Sequence, residues 1–217
     1  MPHLSFAVVN AEAEPYAAVP TLRFMLAIES PEPHPAIRSL LLATQIRIAV
    51  ARRTYDAREH ARLAELFGTP DRWGETLKSL LWTHTTTVSP AFEGKTELAL
   101  LVPCTCDFDI VSAKYLSGVE SGDIPLDFLF SGSVFYDDAD GRMQTARLSW
   151  ESEARYALPV RVWKDMMNHY YPDSSWIRLR RDEYDRLYAY RAERSLQTWE
   201  HTVDALLSAA SREPEHG

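Results

Sequence analysis

Residues 124–150 read IPLDFLFSGSVFYDDADGRMQTARLSW, and this stretch decides the fold. Apolar residues alternate along its first half: Ile124, Leu126, Phe128, Phe130, Val134 and Tyr136. Pro125, Asp127, Ser131 and Ser133 fall between them. A period of two gives a strand one buried face and one wetter face. Pro125 suits the start of a strand, where a missing donor is tolerated. Gly132 marks a bulge or the close approach of another backbone.

The second half reads as the return strand of a hairpin. Asp140-Gly141 first suggests a two-residue turn. That turn sets Val134 opposite Arg147 and leaves Leu148 and Trp150 on the wrong face. A three-residue loop, Ala139-Asp140-Gly141, sets Val134 opposite Ala146, Gly132 opposite Leu148 and Phe130 opposite Trp150. A slip of one residue turns every side chain over, so the second register is expected. Gly141 then takes a positive φ after a type I turn. Asp137, Asp138 and Asp140 lack the other oxygen ligands of a calcium loop and read as solvated turn residues.

The whole chain has 217 residues, enough for one large domain or one domain with an appendage. A net charge of −8 argues against a general nucleic-acid binder, whose footprint is basic. The two cysteines, Cys104 and Cys106, are too few for a disulfide-stapled secreted domain. The amino terminus shows no signal-peptide pattern. The longest apolar run, residues 40–50, is broken by Gln45 and Arg47 and is too short to cross a bilayer. A cytoplasmic location without membrane insertion is the expectation.

Outward from the hairpin, residues 4–9 form a short strand. Leu22, Phe24, Leu26 and Ile28 share one face of a second. Leu40, Leu42, Ile46, Ile48 and Val50 mark a third, read as the antiparallel neighbour of the second across a proline-rich link. Asp56 and Glu59 have capping-box spacing, and Gly68 stops the helix they open. A second helix follows, with Pro70 in its first position and Trp73, Leu77, Leu80 and Leu81 on one face. Strands return at 82–89 and 96–102. Val111, Tyr115 and Val119 then mark a short helix. After Trp150 the pattern reads as helical, with Pro159 opening one helix, and Asp182 and Thr198 capping two more.

Strands followed by helices, without a βαβ rhythm, predict an α+β fold. The architecture expected is mainly an antiparallel β-sandwich with two inserted short helices and a C-terminal helical segment. Its sandwich-like domain covers 1–150, with the helical insertion at about 56–81. The helices of 151–217 pack on that same domain.

Chemistry is sparse. In a strand the thiols of Cys104 and Cys106 point the same way and offer two soft ligands. A structural metal site takes about four ligands, so His84 and Asp107 would have to supply the rest. Small buried apolar residues are the simpler reading of the two cysteines. His84 sits in a strand-like run and has no identifiable partner. Asp165 and His169 are four apart on a helix, a spacing common on solvated faces. Ser131-Gly132-Ser133 lies inside a strand and is no nucleophile elbow. Neither a phosphate-binding glycine loop nor a His-Glu-x-x-His sequence is found.

Arg178, Arg180, Arg181, Arg186, Arg191 and Arg194 are interleaved with Trp176, Tyr184, Tyr188 and Tyr190, a composition that suits interfaces. Asp182, Glu183, Asp185 and Glu193 offset most of that charge, so a salt-bridged helix face is expected. No catalytic residue, cofactor or metal is assigned. The metal candidates are Cys104, Cys106, His84 and Asp107.

Several stretches resemble an uncharacterised actinobacterial family defined only as a domain of unknown function. They are Pro15-Tyr16-Ala17-Ala18 with Pro20-Thr21-Leu22, Leu80-Leu81-Trp82-Thr83-His84, Val102-Pro103-Cys104-Thr105, Ile124-Pro125-Leu126, Phe130-Ser131-Gly132 and Leu196-Gln197-Thr198-Trp199. Members of that family lie in gene neighbourhoods of uptake nickel–iron hydrogenases. The resemblance implies an accessory role with a protein partner, the hydrogenase or its maturation machinery, and implies no active residues. The function expected is a non-catalytic interaction protein. Two alternatives remain: a metal-binding or redox protein using Cys104 and Cys106 with His84, and a small-ligand binding module.

Overall fold

The computed structural model describes residues 3–30, 36–104, 110–174, 177 and 179–211. In chain order the strands are β1 (Ser5–Ala13), β2 (Thr21–Glu29), β3 (Ile37–Ile48), β4 (Leu80–Ser89), β5 (Lys95–Pro103), β6 (Asp123–Asp137), β7 (Met143–Arg147) and β8 (Glu153–Pro159). The helices are α1 (Ala57–Phe67), α2 (Trp73–Thr76), α3 (Ile110–Gly118), α4 (Val160–Tyr170), α5 (Arg181–Glu193) and α6 (Trp199–Ala210). The chain divides into two compact units, Met1–Ser174 and Ser175–Gly217. The first contains both sheets and α1 to α4; the second contains α5 and α6.

Alternation builds the first unit. One antiparallel sheet has the order β1-β2-β5. The other has the order β4-β3-β6-β7, with β8 also bonded to β6. Their apolar faces meet: Phe24 lies edge-on to Phe128 at 5.2 Å between ring centroids, and Phe6 stacks on Phe130 at 4.5 Å. This is the α+β sandwich expected from the sequence. Leu22, Leu26, Ile28, Leu40, Leu42, Ile46 and Ile48 fill it and are fully buried. Each such side chain stabilises the fold by roughly 1.5–3 kcal/mol.

The three-residue loop is present. Val134 faces Ala146 and Tyr136 faces Gln144. Gly141 has φ 75°, and its N–H donates to the Asp138 carbonyl at 2.9 Å. The Asp138 carboxylate accepts the N–H groups of Asp140 and Arg142 at 3.0 and 2.9 Å, which closes the loop. Those bonds hold its carboxyl below the usual carboxylate range.

Four expectations are corrected. First, β2 and β3 are not neighbours: each is the inner strand of a different sheet. Their apolar faces meet across the core, which satisfies the same alternation as pairing side by side. Second, Trp150 does not face Phe130 and is 89% exposed. The chain leaves the ladder after β7 and returns as β8, so the Phe130 N–H bonds the Ser152 carbonyl at 2.9 Å. Third, the pattern after Trp150 opens with a strand, β8, before any helix. Alanine and proline make EARYALP a weak strand signal, yet Ala154 and Leu158 alternate into the core. Fourth, the helix after Pro70 is a 3-10 turn and the single turn α2, and Leu80 and Leu81 already belong to β4.

Gly132 is a close approach. Its φ is 153°, and a Cβ there would lie 2.0 Å from the Leu41 carbonyl oxygen. Gly132→Ala must therefore displace β3 or strain β6. We expect a loss of about 2–4 kcal/mol, read from the urea midpoint of unfolding.

Candidate functional site

Of the four metal candidates the structure describes His84 and Cys104, and these two do not converge. His84 lies opposite Gln45 on β4 and is exposed. Thr83, Thr85 and Thr87 face the buried Ile46, Thr44 and Leu42, so register turns His84 to the outer surface. Cys104 follows the end of β5 and belongs to the core, its thiol 3.5 Å from the Val102 carbonyl. Core and outer face separate these two residues. Cys106 and Asp107 lie outside the described residues. Among the described residues, no group of three His, Cys, Asp or Glu side chains is placed to hold a metal ion. Asp165 and His169 are exposed on α4, and the His169 ring rests edge-on to Tyr170.

A different set of polar residues converges where β3 runs into α1. Asp56 caps α1 through the N–H groups of Arg58 and Glu59, and Glu59 returns the bond to the Asp56 N–H. The capping box predicted from the sequence is there. Glu59 does more than cap, because it is only 3% exposed. Its carboxylate pairs with Arg53 and accepts the Glu120 N–H at 2.8 Å. Arg53 also donates to the Asp123 carbonyl at 3.0 Å. One buried ion pair thus ties α1 to the segment between α3 and β6.

Aromatic residues line this pair. The Tyr55 hydroxyl donates to the Val50 carbonyl at 2.7 Å and shares a bond with the Tyr115 hydroxyl at 2.9 Å. Trp73 lies edge-on to Tyr55, and its indole N–H bonds the Gly68 carbonyl. Burial first, and the shared bond second, push the Tyr115 phenol far above its ordinary value. Burial also raises Tyr55. Both phenols are therefore neutral hydrogen-bonding groups near neutral pH.

The segment held by Arg53 and Glu59 forms the floor of an open polar groove of about 570 Å³. The exposed side of α4 forms its wall. Glu120, Asp123 and Asp165 contribute negative charge, and Arg161 and Lys164 positive charge. Arg161, Lys164 and Asn168 follow helical spacing and share one face of α4. Glu120 is neutralised by Arg62 at 3.0 Å. The groove thus presents side chains of both charges.

In the second unit three of the six arginines form the expected ion pairs, Arg191 and Arg194 lie over aromatic rings, and Arg178 and Trp176 lie outside the described residues. Arg180 pairs with Asp182 and Glu183, Arg181 with Asp185, and Arg186 with Glu183. Arg191 lies over the Trp199 ring at 4.8 Å and donates to the Leu196 and Gln197 carbonyls. Thr198 caps α6 through the His201 N–H. Tyr184, Tyr188 and Trp199 form a ring cluster at 5.6–6.4 Å. Among the described residues of the two helices only Thr202 is buried.

Two outcomes test the buried cluster. Removing one partner of a buried ion pair leaves the other charged and unpaired, so Glu59→Ala is expected to cost about 3–5 kcal/mol in denaturant unfolding. The phenols act at the other end of the pH scale. Their folded pKa values are raised, so their contribution is complete below the ordinary tyrosine value of about 10 and is lost as pH rises above it. Circular dichroism should show alkaline unfolding, and Tyr115→Phe should move its midpoint to higher pH. The same variant loses about 1 kcal/mol at neutral pH with its hydrogen bond.

No helix among the described residues is long and apolar enough to cross a membrane. A search of curated proteins found no match, and a search of solved structures found none. Over residues 1–215 the chain matches the model of a family described as a family of unknown function, DUF6084, and it belongs to that family.

Proposed function

We propose that the chain is a non-catalytic interaction protein of the cytoplasm, an accessory or maturation factor for a nickel–iron hydrogenase. One observation supports the interaction role above the others. Helices α5 and α6 leave Tyr188 55%, Val203 45% and Leu207 61% exposed. Val203, Leu206 and Leu207 have the spacing of one helix face. Two short helices cannot bury such a face by themselves. Exposed tyrosine and arginine beside it match the composition of protein interfaces. The hydrogenase as partner rests on the resemblance to an actinobacterial family found beside hydrogenase genes.

A second reading, a small-ligand module, is favoured by the polar groove. Asp123, Arg161, Lys164 and Asp165 line it and form no ion pair among the described residues. A ligand with charges of both signs would satisfy them.

Affinity purification from native cells that make the hydrogenase tests the leading reading. Mass spectrometry should recover a hydrogenase subunit or maturation component with the intact chain. The Leu206→Asp, Leu207→Asp variant should recover roughly tenfold less, the equivalent of about 1.4 kcal/mol of binding. Recovery of neither component overturns the hydrogenase role. Equal recovery by the variant removes α6 from the interface.

A further inference from the structure

The β7 edge has a polarity that can be read from two hydrogen bonds. The Asp138 N–H bonds the Arg142 carbonyl at 2.9 Å, and the Leu148 N–H bonds the Gly132 carbonyl at 3.1 Å. Bonded and non-bonded pairs alternate along an antiparallel ladder. The bonded pairs are therefore Val134 with Ala146 and Tyr136 with Gln144, between those two ends. Met143, Thr145 and Arg147 occupy the alternate positions. Their N–H and C=O groups point away from β6.

Nothing described covers them. β7 ends the sheet order, and no described residue bonds to these outward groups. Met143, Thr145 and Arg147 are exposed, Met143 by 67%. Such an edge is a template for one more strand.

Charge selects the occupant. Arg142 and Arg147 bracket the edge, both exposed, and neither forms an ion pair among the described residues. The neighbouring acids are engaged: Asp137 pairs with Arg38 at 2.9 Å, and Asp138 accepts the turn N–H groups. Asp140 alone stays open at the turn tip. A second copy of β7 would add two more guanidinium groups to the same ribbon, which like-charge repulsion opposes. An acidic strand would neutralise both.

We propose that β7 is a docking edge for an extended segment of a partner protein carrying two acidic side chains five residues apart, matching Arg142 and Arg147. Main-chain bonds to Met143, Thr145 and Arg147 hold the segment, and the two arginines fix its register. This surface belongs to the first unit, so it stands or falls independently of α6.

The test uses the full chain and two synthetic peptides, acetyl-Glu-Thr-Val-Thr-Val-Glu-amide and its counterpart with lysine at both ends. The acidic peptide should bind with a Kd on the order of 1 mM or tighter, and the lysine peptide at least about tenfold more weakly. Amide exchange, followed by nuclear magnetic resonance, should slow at Met143, Thr145 and Arg147 when the acidic peptide is added. Gln144 and Ala146, already bonded to β6, should not change. Thr145→Pro removes only an outward donor and should abolish binding while the thermal midpoint stays. Arg142→Glu with Arg147→Glu should reverse the peptide preference, and this decides the matter should the proline variant unfold. Three results overturn the proposal: no slowing at those amides in millimolar acidic peptide, equal binding of the two peptides, or an unreversed preference in the double variant.

Discussion

Strand β6 is hydrogen-bonded along both edges, and the first unit depends on that double constraint. On one side β3 pairs with it from Ile37–Tyr136 to Ile48–Leu126. On the other, β7 pairs with Ser133 to Asp137 and β8 with Asp123 to Leu129. A slip of one residue on either edge would turn Ile124, Leu126, Phe128 and Phe130 out of the core. Gly132 sits where the second edge changes partner. Its missing side chain lets Leu41 of β3 approach at the point where β7 and β8 hand over. Close approach and partner change are thus solved by one glycine.

The handover also explains Trp150. Between the β7 and β8 registers the returning chain gains two residues. A two-residue insertion preserves a period of two, so Leu148, Ala154 and Leu158 keep their faces toward the core. The surplus goes into the loop that carries Trp150 into solvent. From the sequence, the alternation on either side was legible, and so was the turn, because register leaves one consistent loop length. The insertion was not, because local pattern is identical with or without an even number of extra residues. The same limit separates β2 from β3. Alternation reports which side of a strand is apolar; it does not report whether the neighbour lies beside it or across the core.

At the polar cluster the limit is one of distance. Asp56 and Glu59 announce a capping box within four residues, and it forms. That Glu59 is buried depends on Arg53 and on the Glu120 N–H, 61 residues away, which no local pattern reports. Burying the pair is costly unless its remaining bonds are met. Here two further N–H groups meet the Glu59 carboxylate and the Asp123 carbonyl takes one Arg53 N–H, while Arg53 Nε stays without a partner; the cluster is a clamp on the floor of the groove. For Cys104 the limit is one of extent: alternation does not report where a strand stops, and β5 stops at Pro103, with Cys104 joining the core just beyond it.

The sandwich core, the ladder between β6 and β7 and the clamp stabilise the first unit without drawing on the outward edge of β7. A protein whose stability lies elsewhere can leave a strand edge and a helix face unfinished at little cost. Unfinished edges ordinarily invite self-association. On β7 that tendency is opposed by paired arginines, which admit an acidic strand more readily than another copy of themselves. The charge that opposes pairing of the edge with its own kind therefore also defines what can complete it.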